Sequence, residues 1–380
     1  MLQSGLMKGL VYDGEKAAIR DGLEVRDPEA TEVKVRIVAA GLCHSDVSVI
    51  DGTIPWPAPA VLGHEGAGVV EQVGSAVRHV KPGDHVVLHT VASCGLCKWC
   101  NQGKPAWCRA SLGNPSQPFT LDGEPAWNFA SASFFSEYTV VRGYQCVPIA
   151  KDVPLESACL IGCGVLTGVG SVFNRTELGL GDTAAVFGVG GVGLNVIQAC
   201  KVKGASRIIA VDTMPEKEKW ARGFGATDFV KAGEGVDTVQ AVRELLPFSA
   251  EQVTGIMGAG GVDYAFDCVG HPDVLNNALE MLDWGGTAVI IGVPPPTATV
   301  PARIGNLTHV ERTLTGSRAG SHRPHTDIPL IVDLYRQGLL KLDELVTAKY
   351  GLDEWETAVH DLHEGKLARG VLEVARLTSG

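Results

Sequence analysis

The 380-residue chain lacks several features, and each absence narrows its class. It has no excess of basic residues: 32 Lys and Arg stand against 43 Asp and Glu, a formal net charge of −11. A phosphate-backbone binder needs a basic face, so no nucleic acid partner is expected. No run approaches the roughly 18–20 apolar residues of a membrane span, and the opening MLQSGLMKGLVYDGEKAAIR has no apolar core of a signal peptide. No membrane association is expected, and a cytoplasmic location is. There is neither an internal repeat of about 20–50 residues nor a low-complexity tract, which removes solenoids and propellers. What is present is globular in composition, with 45% hydrophobic and 20% charged residues. At roughly 100–200 residues per domain, the length predicts about two domains with sizeable cores.

The texture changes along the chain. Up to about residue 160, short β-type runs (VKVRIVAAG, GAGVVEQVG, DHVVLH, SEYTVV) are broken by Gly and Pro, which predicts an irregular, mostly β domain. From about 165 to 305 the apolar runs AAVFGV, RIIAVD, DYAFDCVG and TAVIIGV alternate with helical stretches such as VGLNVIQACKVKG, whose terminal Gly204 suits a left-handed cap. Apolar strands alternating with helices predict a parallel sheet covered on both faces. Two further helices, DIPLIVDLYRQG and DEWETAVHDLHEG, are expected to return to the first domain.

Within the βα region, the strand AAVF leads into Gly188-x-Gly190-Gly191-Val192-Gly193 and directly into a helix. The pattern alone fits an ordinary Gly-rich turn, since the chain has 47 glycines. Its context points further. The next strand, RIIAVD, ends in Asp212, 19 residues beyond Gly193, against an expected spacing of roughly 20 in dinucleotide-binding βαβ units. Gly188 permits a tight turn, Gly190 lets backbone approach a pyrophosphate, Gly193 permits close helix packing, and the helix N-terminus supplies N–H donors. Asp212 would accept hydrogen bonds from the ribose hydroxyls and repel a 2′-phosphate, which favours NAD over NADP.

The ten cysteines are unevenly spread. Four of them, Cys94-x2-Cys97-x2-Cys100-x7-Cys108, fall within 15 residues. A short loop of four soft donors suits tetrahedral zinc with no open position, hence a structural site. Iron–sulfur ligation competes, but the spacing matches neither usual ferredoxin run, and disulfides fit a reducing compartment poorly. A dispersed set is formed by Cys43 in GLCHSD, His64 in GHEGAG and Cys163 in IGCGVLTG. Each alone would more often be a buried thiol or a core histidine. Together they lie in Gly-rich turns at the ends of apolar runs, and Cys2His plus water is a recognised catalytic zinc set.

The segment GHEGAGVVEQVGSAV, read as G-H-E-x2-G-x5-G-x2-V, resembles the signature of the zinc-dependent medium-chain alcohol dehydrogenases, close to their long class I and class III forms. The four-cysteine lobe, GCGVLTG, GVGGVG and Asp212 follow in that family's order, so the resemblance runs from about residue 8 to the C-terminus. It implies an α/β protein: a GroES-like, mostly β catalytic domain from residues 1–164 and 306–380, and a Rossmann domain, a doubly wound parallel sheet that binds NAD, from 165–305. By motif, Cys43, His64 and Cys163 look like the ligands of a catalytic zinc, with Asp46 and Glu65 behind them. The implied activity is reversible hydride transfer between a primary alcohol, aliphatic or aromatic, and NAD.

By the same resemblance Ser45 is the first proton acceptor, while Ser48 stands where the family carries a histidine base, so the relay ends in water or recruits another group. His44 occupies a slot often filled by arginine beside the pyrophosphate, and Thr167, Lys217, Val293 and Arg369 match other cofactor-contacting positions. Thr90, Phe129, Ala130 and Val293 match the substrate pocket, a lining that fits medium or aromatic alcohols. The stretch between Cys108 and Tyr138 resembles a shortened form of the loop found in dimeric members, so a homodimer is expected, with a homotetramer as the alternative. A thiol-adduct formaldehyde dehydrogenase, a nicotinoprotein, and a non-catalytic dinucleotide-binding protein would share these motifs.

Overall fold

The computed structural model describes residues 6–111, 115–246 and 260–375. The chain divides into two units: Met1–Gly164 with His322–Gly338 and Leu342–Gly380, and Val165–Ser321 with Leu339–Lys341.

In the first unit the strand Glu32–Leu42 begins with strict alternation, Val33, Val35 and Ile37 buried and Lys34 and Arg36 partly exposed. From Val38 onward every residue is buried, so the strand runs from a half-solvated sheet into the interior. It pairs antiparallel with Glu65–Val73 in a register that sets Gly41 opposite Glu65. On its other edge it pairs antiparallel with Arg369–Glu373, Leu42 opposite Gly370. These strands belong to a seven-stranded sheet that also contains His85–Leu88, Cys146–Ile149, Val346–Gly351 and Tyr138–Arg142. The register brings the ends of three strands, and therefore residues 43, 64 and 369, to one place.

Five short strands, Met7–Tyr12, Ala17–Val25, Phe119–Leu121, Glu124–Asn128 and Ala60–Val61, close into a barrel around Val11, Leu23, Val61 and Phe119. The stretch between Cys108 and Tyr138, which in sequence resembles a shortened form of a family loop, contains regular structure. Residues 112–114 lie outside the described residues, but Phe119–Asn128 is a two-stranded hairpin built into the barrel wall.

The second unit carries six parallel strands in spatial order Asp228–Lys231, Arg207–Asp212, Thr183–Phe187, Val262–Asp267, Leu282–Ile290, Thr313–Gly316. Numbered along the chain this is 3-2-1-4-5-6, the doubly wound order whose crevice lies where the first and fourth strands diverge. Their central residues, such as Ala184–Val186 and Ile209–Ala210, are fully buried, as strands covered on both faces must be. The last strand extends this unit to Ser321, beyond the expected boundary at 305, and the return to the first unit begins at His322 rather than 306. The helices Pro324–Arg336 and Trp355–His363 then belong to the first unit. Among the described residues no single helix is long and apolar enough to cross a membrane.

Candidate active site

The ligand-capable atoms of Cys43, His64, Glu65 and Cys163 lie within 4.8 Å of one another. Cys43 ends its strand and caps the helix His44–Ile50, His64 precedes the strand Glu65–Val73, and Cys163 follows the 3-10 turn Cys159–Gly162. Asp46, fully buried, joins these elements. Its carboxylate accepts from the backbone N–H of Cys43 at 3.2 Å and of Gly63 at 3.1 Å, and meets His64 Nδ1 at 2.9 Å. With the Nδ1 proton held by Asp46, the Nε2 lone pair is presented to the cluster, and that buried Nε2 has no hydrogen-bond partner. A basic nitrogen left bare beside two thiols is the donor chemistry of a zinc site.

The charges confirm how strongly these groups compete. Burial alone would hold His64 below its usual value, but Asp46 and Cys43 reverse the sign and hold it well above. Burial lifts Asp46 despite His64. Of the two facing thiols, the hydrogen bond from Cys163 holds Cys43 well down, and Cys163 is correspondingly held well up. Glu65 is pushed up to about 8 by burial, against the pull of Arg369. Arg369, expected among the cofactor contacts, is only 4% exposed, and its Nη2 lies 3.0 Å from Glu65 Oε1 while Nη1 donates to Leu42 O at 3.3 Å. This pair fills the space behind the cluster so fully that a Cβ on Gly164 would sit 1.8 Å from Arg369 Nη2.

The four-cysteine lobe is built differently. Its only regular pieces are a four-residue helix, Lys98–Asn101, and 3-10 turns at Pro105–Trp107 and Arg109–Ser111. Cys97 and Cys100 have sulfurs 3.6 Å apart, as do Cys94 and Cys108. A tetrahedron with bonds of about 2.3 Å has edges of about 3.8 Å, so four sulfurs at this spacing fit zinc. The N–H groups of Leu96 and Cys97 bring the Cys94 thiol down to about 6, whereas burial, helped by Cys97, pushes Cys100 up to about 12.

In the second unit, Gly188 has φ +85°, a left-handed turn, and Gly190 caps the helix Gly191–Lys203 with open space where a Cβ would stand. A Cβ on Gly193 would lie 1.8 Å from Gly188 O, which explains the third glycine. The same helix ends at Gly204 with φ +88°. Asp212 ends its strand, accepting from Val189 N–H at 2.7 Å and Met214 N–H at 3.0 Å, with Lys217 Nζ at 3.3 Å. An open glycine cradle at a helix N-terminus beside a strand-end carboxylate fits a dinucleotide. Thr167 lies half-buried in the helix Gly164–Phe173, and Val293 is exposed after the fifth strand.

In the first unit, Ser45 and Ser48 both lie on the helix that Cys43 caps, and Ser45 Oγ is 4.0 Å from Cys43 Sγ. His44 opens that helix and is exposed. Thr90 is half-buried just beyond the strand His85–Leu88. Phe129 stands edge-on to the His64 imidazole, centroids 5.5 Å apart, and Ala130 follows at φ +53°. Trp56, which carried no motif, stands edge-on to Phe129 at 5.1 Å. Its only signal in the sequence is an aromatic residue in the Pro-rich turn IPWPAP, eight residues before His64.

Residues 29–151 match the family described as the alcohol dehydrogenase GroES-like domain, and residues 191–336 that described as zinc-binding dehydrogenase. The S-(hydroxymethyl)glutathione dehydrogenase of Saccharomyces cerevisiae is 38% identical over 375 residues, covering 96% of this chain and 95% of that protein. Among solved structures, an alcohol dehydrogenase zinc-binding domain protein from Burkholderia ambifaria is 34% identical with a TM-score of 0.89, covering 97% of this chain and 99% of that one. The benzyl alcohol dehydrogenase of Acinetobacter calcoaceticus is 32% identical with the same TM-score and the same coverage.

Proposed function

The chain belongs to the zinc-dependent, NAD-using alcohol dehydrogenase family, and from that premise we propose that it interconverts primary alcohols, aliphatic or aromatic, and their aldehydes. The observation that carries this reading is the buried His64 Nε2, left without a partner by the Asp46 hydrogen bond on Nδ1 and facing Cys43 and Cys163.

Cys43, His64 and Cys163 would hold a catalytic zinc, and Cys94, Cys97, Cys100 and Cys108 a structural one. When bound, the catalytic zinc supplies a Lewis acid that acidifies the alcohol hydroxyl, and NAD supplies the hydride acceptor. Asp46 fixes the His64 tautomer and ring plane. Glu65, raised by burial and paired with Arg369, keeps a carboxyl group within reach of the cluster without placing a free negative charge there. Ser45, beside Cys43, takes the hydroxyl proton and passes it towards Ser48, which as a hydroxyl hands it to water. Thr90, Phe129, Ala130 and Val293 border the substrate, and His44, Thr167, Lys217, Val293 and Arg369 touch the cofactor. Gly188, Gly190, Gly191, Val192 and Gly193 cradle its pyrophosphate, and Asp212 binds the adenosine ribose, turning from Lys217 to do so. We read the protein as a cytoplasmic homodimer.

A second reading, oxidation of a formaldehyde–thiol adduct, is favoured by the name of the yeast relative. The experiment that separates the two is a panel of primary alcohols and aldehydes, with and without added glutathione, followed at the NADH absorbance band. NAD reduction by simple alcohols without thiol supports the first reading. Reduction only when formaldehyde and glutathione are both present replaces it with the second.

A further inference from the structure

An aromatic stack, His64–Phe129–Trp56, stands at the cluster and is held rigidly. Phe129 is almost fully buried, 4% exposed, with its ring at 89° to the imidazole, and Trp56 meets Phe129 at 86°. Trp56 is half-buried, so the indole is the ring of this stack that keeps a free surface. Its Nε1 donates to Asn128 O at 3.0 Å, and the Asn128 side chain is itself tied to Ser116 by two hydrogen bonds of 2.9 Å. Phe129 N–H donates to Ser133 Oγ at 3.0 Å, which donates to Val61 O at 2.7 Å. Between these anchors Ala130, Ser131 and Ser133 take φ values of +53°, +57° and +69°. Such conformations cost free energy in non-glycine residues and persist only where the surroundings enforce them. The two segments that supply Trp56 and Phe129, residues 52–63 and 125–136, contain no Asp, Glu, Lys or Arg.

We propose that Trp56, backed by Phe129, is the specificity-determining residue of the site and selects alcohols with a flat, uncharged aryl group, so that arylmethanols and aryl aldehydes are the preferred substrates. The proposal rests on the reading of Cys43, His64 and Cys163 as the reacting centre. An aryl ring gains from edge-to-face and offset contact with a pinned indole, which a saturated ring of similar volume cannot match. A substrate tail carrying ionised groups would lose hydration beside residues 52–63 with no counter-charge in that stretch to replace it.

The test compares benzyl alcohol, cyclohexylmethanol and S-(hydroxymethyl)glutathione on the zinc-loaded enzyme with NAD. Wild type should prefer benzyl alcohol. Trp56→Ala should lower kcat/KM for benzyl alcohol by about three- to tenfold, the scale of an aromatic pair, through KM. Cyclohexylmethanol should change by less than about twofold, and Trp56→Phe should recover most of the benzyl preference. Calorimetric binding of benzamide against cyclohexanecarboxamide, neither of which is oxidised, should show the same preference and the same loss in Trp56→Ala. Equal losses for the flat and the saturated ring would make Trp56 a packing residue only and overturn the proposal. So would a wild type that prefers S-(hydroxymethyl)glutathione. If no alcohol is turned over at all, the reading of the reacting centre fails instead, and the two amides still decide on Trp56.

Discussion

The four-cysteine lobe and the Cys43–His64–Cys163 cluster use similar donors in opposite surroundings. The lobe draws all its sulfurs from 15 consecutive residues, has almost no regular structure, and leaves Cys94 and Leu96 in solvent. The cluster draws its donors from positions 120 residues apart, and each rests on the end of a strand, a helix or a 3-10 turn packed into the main core. Supporting groups differ as well. Around the lobe they are backbone N–H groups of neighbouring residues, Leu96 and Cys97, whereas around the cluster they are buried side chains, Asp46 and Arg369, delivered by other elements. A metal in the lobe therefore organises the chain around it, while the cluster is organised by the fold before any metal arrives. The first arrangement suits structure; the second, with a prepositioned and desolvated histidine, suits chemistry.

The sharpest way to break this contrast is to remove one donor from each. Cys163→Ser should fold normally, keep one zinc per chain by elemental analysis, and lose about 10³-fold or more in turnover, the equivalent of roughly 4 kcal/mol of Lewis-acid assistance. Cys97→Ser should instead lower Tm by about 5–10 °C, as a loss of 2–3 kcal/mol does for a domain of this size, and keep its activity at temperatures where it remains folded. A single zinc in the wild type, or an exchange of these two phenotypes, would contradict the division of roles.

A smaller effect isolates the support of the cluster from its donors. Asp46→Asn keeps the shape but offers a weaker acceptor to His64 Nδ1 and can turn an N–H towards it. Zinc affinity at the cluster, measured by competition with a chelator, should fall by about 10- to 100-fold while lobe zinc is retained. An unchanged affinity would mean that the Cys43, His64 and Cys163 positions suffice without Asp46.

The smallest effect concerns the segment that joins the two regions. His89 is buried between the strand His85–Leu88 and the lobe, its Nε2 donating to Tyr144 O at 3.0 Å and its Nδ1 accepting from Val91 N–H at 3.2 Å. Burial, with His322 and His325 nearby, holds its value well below that of an ordinary histidine. The unfolded chain therefore takes up the proton first. Stability from the neutral ring is complete above the ordinary value of about 6.5 and is lost as pH falls below it, with a limiting slope of about 1.4 kcal/mol per pH unit for one proton. His89→Gln, which can keep a donor and an acceptor, should flatten the fall in urea midpoint between about pH 6.5 and 5. An unchanged slope would place the acid sensitivity elsewhere.

Much of this was legible from short-range pattern. The Gly188–Gly193 turn, the helix that follows and the left-handed Gly204 could be read because each depends on neighbours within a few residues, where backbone sterics dominate. The lobe could be read for the same reason. The hairpin Phe119–Asn128 was missed because strands of three and five residues carry too little alternation to stand out, and the barrel that completes them is assembled from residues 7 to 128. The Rossmann boundary at 321 was missed because Thr313–Gly316 is short and three of its four residues are Thr or Gly. Trp56 and the pairing of Glu65 with Arg369 had no local signal at all.

By itself the sequence determined what local spacing can encode: the alternation of strands and helices, the dinucleotide turn, four sulfurs close enough to share one ion, and a family signature around His64. Only the tertiary structure decided which distant groups meet. The pairing of Glu32–Leu42 with both Glu65–Val73 and Arg369–Glu373 sets Cys43, His64 and the Glu65–Arg369 pair together, and the barrel sets Phe129 and Trp56 beside them. The reason is physical: a residue's neighbours within a turn follow from its own φ and ψ, whereas its neighbours across a sheet follow from a register that the burial of every other residue in both strands must satisfy at once.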